Sequence, residues 1–292
     1  MICNKKKRHI PRLVVEYGSL TSELGKPFEI FDKFVRVFDL YFVATPSSPA
    51  EKLLHGATIL YQYIDNNGDG EPDNLAVYFN LRLRQATMVM FRDGDECEEK
   101  IDEFLEGNKA CKNVLIEDLE SDETGPELAF DEGLEECFHF LNYGYSLAYP
   151  DVFGDQHGTQ LASCCDRARG GYFPEIPKQY PPSAWFTYFD PTCEYSCQIT
   201  EYAYWAMTSI LGAQAKRIEV MHEWKLITKD LVMTFDPEGY ALLTDPRYRL
   251  PTRIPTGLLE RGSWRAKLYR KVSVKFNIAK KGFFRLFKSW IK

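Results

Sequence analysis

The sequence contains no apolar run of about 18 residues, so no transmembrane helix is expected. A signal peptide is also missing from the sequence as given, because the basic residues near Met1 are not followed by a long apolar stretch with a small-residue cleavage site. These absences predict a cytoplasmic protein or one that has already been trimmed, and secretion of related proteins stays open. No internal repeat is visible, and 292 residues suffice for one large domain or two modest ones.

Paired CxxC motifs are absent as well, although the chain has eight cysteines, so a structural zinc knuckle is not expected. Cys193 and Cys197 lie four residues apart, a spacing that suits either a local disulfide or two buried thiols. Cys97 and Cys111 have a spacing that would close a short loop. A chain of this length does not need disulfides to fold, so the count of cysteines leaves their redox state open.

Charge is divided unevenly along the chain. Residues 257–292 contain eleven Lys or Arg against the single Glu260, a net charge of +10, which leaves −16 for the preceding residues because the total is −6. We therefore predict an N-terminal basic, extended segment over residues 1–33, a main domain over residues 34–256 and a basic amphipathic tail over residues 257–292. The acidic main domain would repel phosphates, so nucleic acid is not an expected partner.

The tail ends in an amphipathic pattern with helical spacing. Its apolar positions are Phe283, Phe284, Leu286, Phe287, Trp290 and Ile291. A short basic helix of this kind is able to lie on an anionic membrane surface. We favour the alternative, in which it docks on the acidic surface of its own domain.

Apolar periodicity and helix caps predict an α+β fold with one mixed sheet and helices packed on it. Strands are expected over Phe34–Ala44, over Ala86–Phe91 and over Asn113–Ile116, with an acidic loop around residues 93–99. Helices are expected at about Pro49–Ile64, from Thr124 onward through the segment around residue 140, at Thr159–Ala168 and at about Cys193–Ala215.

The helix around residue 140 contains the segment Glu135-Glu136-Cys137-Phe138-His139. Positions i and i+4 of a helix share one face, so Glu135 and His139 are able to bind the same metal ion. Glu136 is one step round the helix and is expected to activate a water molecule as general base. A glutamate and a histidine at this spacing are also a common surface pair that binds nothing.

A hydrolytic metal site needs a third protein ligand. The best candidate is Glu201 on the helix predicted at about Cys193–Ala215, with Glu194 on the same helix as a spare. Tyr202 or Tyr204 on that helix, and Asn142 or Tyr143 on the helix around residue 140, are candidates for orienting the ligands or for donating a hydrogen bond to an oxyanion. His222, further along the chain, is a candidate transition-state donor or replacement ligand. His222 has an ordinary alternative as a packed or solvated residue.

This combination of EExxH with a later helical glutamate resembles the gluzincin branch of the zincin-like metallopeptidases. The resemblance implies a zincin-like mixed β-sheet packed on an active-site helix and followed by a mainly helical half, a zinc cofactor, and hydrolysis of a peptide or protein substrate. A broader similarity, over roughly Phe34–Pro255, is to a group of proteins without an assigned activity. They share EExxH, a Gly-Tyr-x-x-Ala-Tyr-Pro stretch (Gly144–Pro150) and a Cys-x-Tyr-x-Cys-x-x-Thr-Glu-Tyr stretch (Cys193–Tyr202).

The chain departs from the zincin-like metallopeptidases at Glu135, where their HExxH motif has histidine. Two carboxylates and one imidazole are a harder ligand set than two imidazoles and one carboxylate, so magnesium, manganese or calcium compete with zinc. They also neutralise the charge of the dication, which weakens its effect on bound water. The alternative hypothesis is therefore a zincin-like pseudoenzyme, or a calcium-binding interaction module attached to a membrane by its cationic tail.

The segment from Asp65 to Asp73 resembles the first part of an EF-hand calcium loop. Asp65, Asn67, Asp69 and Asp73 occupy loop positions one, three, five and nine, and glycine occupies position six. Position twelve is Ala76, where a bidentate glutamate belongs. The sequence leaves two alternatives of equal weight, a weak calcium site or a turn rich in Asp and Asn.

Overall fold

The computed structural model describes residues 13–128 and 130–258. They divide into two compact units. The first unit contains residues 13–73, 85–134 and 255–258, and the second contains residues 74–84 and 135–254. The predicted amphipathic tail helix lies outside the described residues.

The helices and strands alternate along the chain before a mainly helical second half. In chain order they are β1 (Glu16–Tyr17), α1 (Thr21–Leu24), a 3-10 helix (Lys26–Ile30), β2 (Lys33–Val37), β3 (Leu40–Ala44), α2 (Ala50–Ile64), α3 (Leu75–Leu83), β4 (Thr87–Phe91), α4 (Gly94–Ala110), β5 (Ile116–Glu120), α5 (Glu132–Ala148), α6 (Pro150–Phe153), α7 (Gln160–Arg169), α8 (Tyr195–Ile210), a second 3-10 helix (Ile218–His222), α9 (Lys229–Phe235) and α10 (Pro237–Leu243). None of these helices combines the length and the apolar character that crossing a membrane requires.

The first unit contains a five-stranded mixed sheet, which confirms the predicted α+β class. The strands follow the order β1-β2-β3-β4-β5. The β1–β2 and β2–β3 pairs are antiparallel, and the β3–β4 and β4–β5 pairs are parallel. The core of the unit contains apolar residues between β1 and β2, among them Leu24, Phe28 and Phe31, so residues of the segment predicted as separate and extended are part of this fold.

The single strand predicted over Phe34–Ala44 is wrong, because the segment folds into the hairpin of β2 and β3. Val37 pairs with Leu40, so the chain reverses at Phe38 and Asp39. Phe38 has a φ of 54°, a left-handed conformation that a bulky residue rarely adopts. The pattern is nearly continuously apolar, with only Arg36 and Asp39 interrupting it, so the turn is not evident from the sequence.

The acidic loop predicted around residues 93–99 is also wrong, because these residues lie in α4 or at its start. The Asp93 side chain caps the helix by accepting a hydrogen bond from the Glu96 backbone N–H at 2.9 Å. Glutamate has a good helix propensity, and acidic residues in the first turn also interact favourably with the helix dipole. A high density of charge in this segment therefore stabilised a helix rather than excluding one.

Helices dominate the second unit, and α7, α8, α9 and α10 pack together there. The predicted helices at Thr159 and Cys193 are present as α7 and α8, and Thr159 caps α7 by accepting from the Ala162 N–H at 3.2 Å. The helix predicted to open at Thr124 begins only at Glu132, as α5. Cys193 and Cys197 form a disulfide at the start of α8, whereas Cys97 and Cys111 are not joined in a disulfide within residues 13–128 and 130–258.

Candidate metal centre

Two helices of the second unit bring three candidate metal ligands together. Glu135 and His139 lie one turn apart on α5, and Glu201 lies on α8. One ligand atom from each of the three side chains lies within 4.8 Å of the other two. His139 Nε2 is 3.9 Å from Glu201 Oε1, which is longer than a hydrogen bond. This is the grouping that the EExxH segment and the later helical glutamate predict.

The three side chains meet in a poorly solvated region. His139 and Glu201 are 2% and 5% exposed, and Glu135 is half-buried. The Tyr204 ring on α8 packs edge-on against the His139 ring, with 5.7 Å between ring centroids. Ligands held in this way by packed neighbours keep their orientation before any ion arrives.

Burial and mutual repulsion act on the carboxylates. Burial raises the pKa of Glu135 well above its usual range, and the neighbouring charge of Glu201 raises it further. The pKa of Glu201 is also raised, chiefly by burial and also by the charge of Glu136, while the charge of His139 and a hydrogen bond with Glu135 act in the opposite direction. Two acidic groups this close disfavour being ionised together unless a positive charge accompanies them.

The donor set fits a divalent cation. Glu201 Oε2 is buried and has no hydrogen-bond partner among residues 13–128 and 130–258. Leaving a buried carboxylate oxygen unsatisfied costs free energy, and a cation bound between two carboxylates and an imidazole would remove that cost. Carboxylate oxygens and an imidazole nitrogen are ligands for zinc and for harder divalent ions.

Glu136 lies beside the histidine rather than among the three ligands. Its Oε2 is 3.2 Å from His139 Nδ1, and its side chain is 20% exposed. Burial alone would lower the pKa of His139, but the charges of Glu136 and Glu201 outweigh it and raise that pKa to about 9. A carboxylate that accepts from Nδ1 fixes the ring and leaves Nε2, the atom near Glu201, to face a metal.

Tyr202 follows Glu201 directly but has a different environment. Its side chain is fully buried, and its hydroxyl donates to Asp236 Oδ2 at 2.5 Å. Asp236 in turn caps α10 by accepting from the Gly239 N–H at 3.2 Å. The hydroxyl predicted to act in catalysis is therefore engaged in joining α8 to α10.

His222 lies at the surface. Its side chain is 69% exposed, and Nε2 is 3.4 Å from Glu223 Oε1. The Glu223 side chain is 16% exposed, and its charge is one of the contributions that raise the pKa of Glu201. His222 does not belong to the three side chains whose ligand atoms converge at the candidate centre.

Glu223 and Tyr188 are residues of this region that the sequence analysis did not identify. Burial raises the pKa of the Tyr188 hydroxyl, and the charges of Glu201 and Glu135 raise it further. The two residues lie next to an isolated antiparallel bridge between Phe186 and Trp224, beside which the Thr187 N–H donates to the Glu223 carbonyl at 2.8 Å. The pairing joins segments more than thirty residues apart and depends on packing, so no local sequence pattern predicts it.

The predicted calcium loop uses its carboxylates to bind its own backbone. Asp65 Oδ1 accepts from the N–H groups of Gly68 and Asp69 at 2.8 and 3.0 Å, and Oδ2 accepts from the Gly70 N–H at 2.9 Å. Asp73 accepts from the N–H groups of residues 66 and 67 at 2.7 and 3.2 Å. These contacts are those of an Asp-capped turn, and calcium binding by this loop stays a prediction.

Comparisons with models of protein families, with curated proteins and with solved structures found no match.

Proposed function

We propose that the protein is a zincin-like metal-dependent hydrolase of peptide bonds. Glu135, His139 and Glu201 would hold the metal, for which zinc is the first candidate and another divalent ion the second. The observation that supports this most is the convergence of their ligand atoms within 4.8 Å, with Glu201 Oε2 buried and unsatisfied. The substrate would be a peptide or protein.

The metal, when bound, supplies a Lewis acid and lowers the pKa of a water molecule. Glu136 is proposed to accept the proton of the attacking water, because its partly exposed carboxylate lies beside the ligand set. His222 is exposed and is proposed to donate a hydrogen bond to the negative charge that develops on the substrate carbonyl oxygen. The sequence predicts that Tyr202 also donates a hydrogen bond to this oxygen, but the bond of its hydroxyl to Asp236 favours a role in packing.

A second candidate function is a metal-binding module without catalysis. The observation in its favour is the contact between Glu136 and His139 Nδ1, which engages the proposed general base. In this alternative the fold would serve as an interaction module, with calcium at the loop from Asp65 to Asp73 and attachment to an anionic membrane through the basic tail.

Metal analysis of the full chain combined with a peptidase assay tests the first proposal. We expect about one zinc per chain and a loss of activity in Glu136→Gln with the metal retained, because the amide cannot accept a proton but still offers an oxygen to His139 Nδ1. Glu106→Gln makes the same chemical change at an exposed position on α4 and serves as the control. Unchanged turnover in Glu136→Gln would contradict the mechanism, and a chain that binds only calcium would favour the second candidate.

A further inference from the structure

Two side chains of α2 hold residues 255–258, which we call the strap. The Gln62 side-chain oxygen accepts from the backbone N–H groups of Thr256 and Gly257 at 2.8 and 3.1 Å, and its nitrogen donates to the Leu258 carbonyl at 3.0 Å. His55 lies seven residues earlier, on the same face of the helix. Its Nδ1 is 3.1 Å from the Gly257 carbonyl oxygen. The strap is thus fixed at three consecutive residues, directly before the basic part of the sequence.

The other nitrogen of the His55 ring contacts the start of α5. His55 Nε2 is 2.6 Å from Asp131 Oδ2, and the two side chains are 1% and 13% exposed. Asp131 Oδ1 accepts from the Gly133 N–H at 3.2 Å, within the first turn of α5, and from the Gly125 N–H at 3.1 Å. One buried imidazole therefore joins the strap to the beginning of the helix that bears Glu135 and His139.

Both partners of the ring are acceptors, which determines its protonation. A backbone carbonyl cannot donate, so Nδ1 must carry a proton to bond to Gly257. A carboxylate that already accepts two N–H groups is an acceptor toward Nε2 as well, so Nε2 must carry a proton too. Only the doubly protonated imidazolium has both. We infer that His55 is a proton-dependent clasp that holds the strap against α2 and releases it when the ring loses a proton.

Deprotonation leaves one N–H for two acceptors, so either the bond to Asp131 or the bond to Gly257 is lost. Glu127 is a charged group that interacts electrostatically with His55, and it forms an ion pair with Lys52, one turn earlier on α2. Lys52 Nζ also donates to the Thr124 carbonyl at 2.6 Å. The strap has no charged side chain of its own. The Asp131 carboxylate is therefore the charged group in hydrogen-bond contact with the ring.

Gly257 is fitted to this clasp. Its φ is +62°, and a Cβ at this position would lie 2.0 Å from His55 Cε1. A methyl group cannot occupy that space unless the ring or the strap moves. Gly257→Ala should therefore open the clasp while every titratable group stays in place.

Hydrogen exchange of the full chain at about pH 6 and about pH 9 tests the inference. After correction for intrinsic rates, protection of the Thr256 and Gly257 amides should fall about fivefold to tenfold at the higher pH, the loss of about one hydrogen bond. His55→Gln should show no such fall. Gln62→Ala should lower protection at both pH values and keep the fall, and Gly257→Ala should lower protection at both.

Equal protection of the wild-type strap at both pH values would overturn the clasp, and so would a His55→Gln variant with the wild-type response. Because His55→Gln risks misfolding, ¹⁵N resonances of the histidine rings in the wild-type chain supply an independent measurement. Two protonated nitrogens on His55 at about pH 6 are expected, and a neutral tautomer there would overturn the inference. Neither measurement depends on metal binding or on peptidase activity.

Discussion

Glu96 in the first unit and Glu201 in the second are both 5% exposed, yet their surroundings shift the pKa of the carboxylate in opposite directions. Glu96 accepts from the Arg92 N–H at 2.7 Å, from the hydroxyls of Thr45 and Ser47 at 2.9 and 2.6 Å, and from Lys100 Nζ at 2.6 Å. Burial alone would raise the pKa of Glu96, but these donors outweigh it and lower the pKa to about 2.

Glu201 is equally buried, but its side-chain hydrogen bond is with the carboxyl group of Glu135, and it lacks a set of donors like that around Glu96. One of its oxygens has no hydrogen-bond partner in the described part of the chain, and burial raises its pKa. The first unit thus completes the coordination of its buried carboxylate from its own side chains and backbone. In the second unit, Glu201 Oε2 remains an unsatisfied acceptor near the carboxylate of Glu135 and the imidazole of His139. A cation bound by these three groups would satisfy it.

Replacing Glu201 by alanine should have the largest effect. Structural sites with four ligands bind zinc with a free energy of about 10 to 16 kcal/mol, so each ligand accounts for about 3 to 4 kcal/mol. Losing one ligand should therefore lower zinc affinity about 100-fold to 1000-fold. Titration of the metal-free protein with zinc measures this. Glu194→Ala is the matched control, because Glu194 is exposed at the cap of the same helix and is expected to leave affinity unchanged. Similar affinities for both variants would remove Glu201 from the site.

Replacing Glu96 by glutamine should destabilise the fold by about 3 kcal/mol near neutral pH, without affecting metal binding. The fall in pKa from 4.5 to about 2 corresponds to this free energy at about 1.36 kcal/mol per pKa unit. A carboxylate with a lowered pKa contributes its full stability above its unfolded pKa and loses it as the pH falls toward the folded pKa. The difference between wild type and Glu96→Gln should therefore shrink from about pH 5 downward.

Urea unfolding at several pH values measures the free energy of unfolding of both proteins. Glu201→Gln in the metal-free protein is the contrasting variant, because it removes one of two mutually repelling carboxylates and should not destabilise. A Glu96→Gln variant as stable as wild type at pH 7 would show that the donors around Glu96 do not favour its charged form.

Replacing Glu136 by alanine should lower zinc affinity about 10-fold to 100-fold, since it removes the acceptor at His139 Nδ1. Glu136→Gln keeps an oxygen there and should retain most of the affinity. Cobalt substitution reports the geometry of the centre by absorption spectroscopy, and its spectrum should change in Glu136→Ala and persist in Glu136→Gln. Wild-type affinity in both variants would leave Glu136 without a positioning role.

Local patterns in the sequence predicted much of the fold. The features that they did not predict depend on contacts between residues far apart in the sequence. The cap of α7 and the strand at β4 are encoded within a few residues, and both are present. The EExxH spacing and the helix bearing Glu201 predicted the three-residue grouping at the candidate centre. Phe38 at a φ of 54° interrupts an apolar run that looks like one strand. Tyr188 was not foreseeable because its segment is held by the bridge between Phe186 and Trp224, two residues far apart in the sequence that pair only in the folded chain.

The loop from Asp65 to Asp73 should show the smallest effect, because it resembles Glu96 rather than Glu201. Asp65 accepts from three backbone N–H groups and also from the Tyr61 hydroxyl at 2.8 Å, so its oxygens have partners without an ion. Calcium added to chelator-treated protein should therefore raise the melting temperature by less than about 2 °C, the shift that about 1 kcal/mol produces in a chain of this size. Asp69 accepts from the Glu71 N–H at 3.1 Å, and Asp69→Asn should change neither the melting temperature nor its response to calcium. A rise of several degrees in the melting temperature that Asp69→Asn abolishes would instead identify a calcium site. It would also show that the local backbone donors satisfy the carboxylates of this loop less fully than Lys100, Ser47 and Thr45 satisfy Glu96.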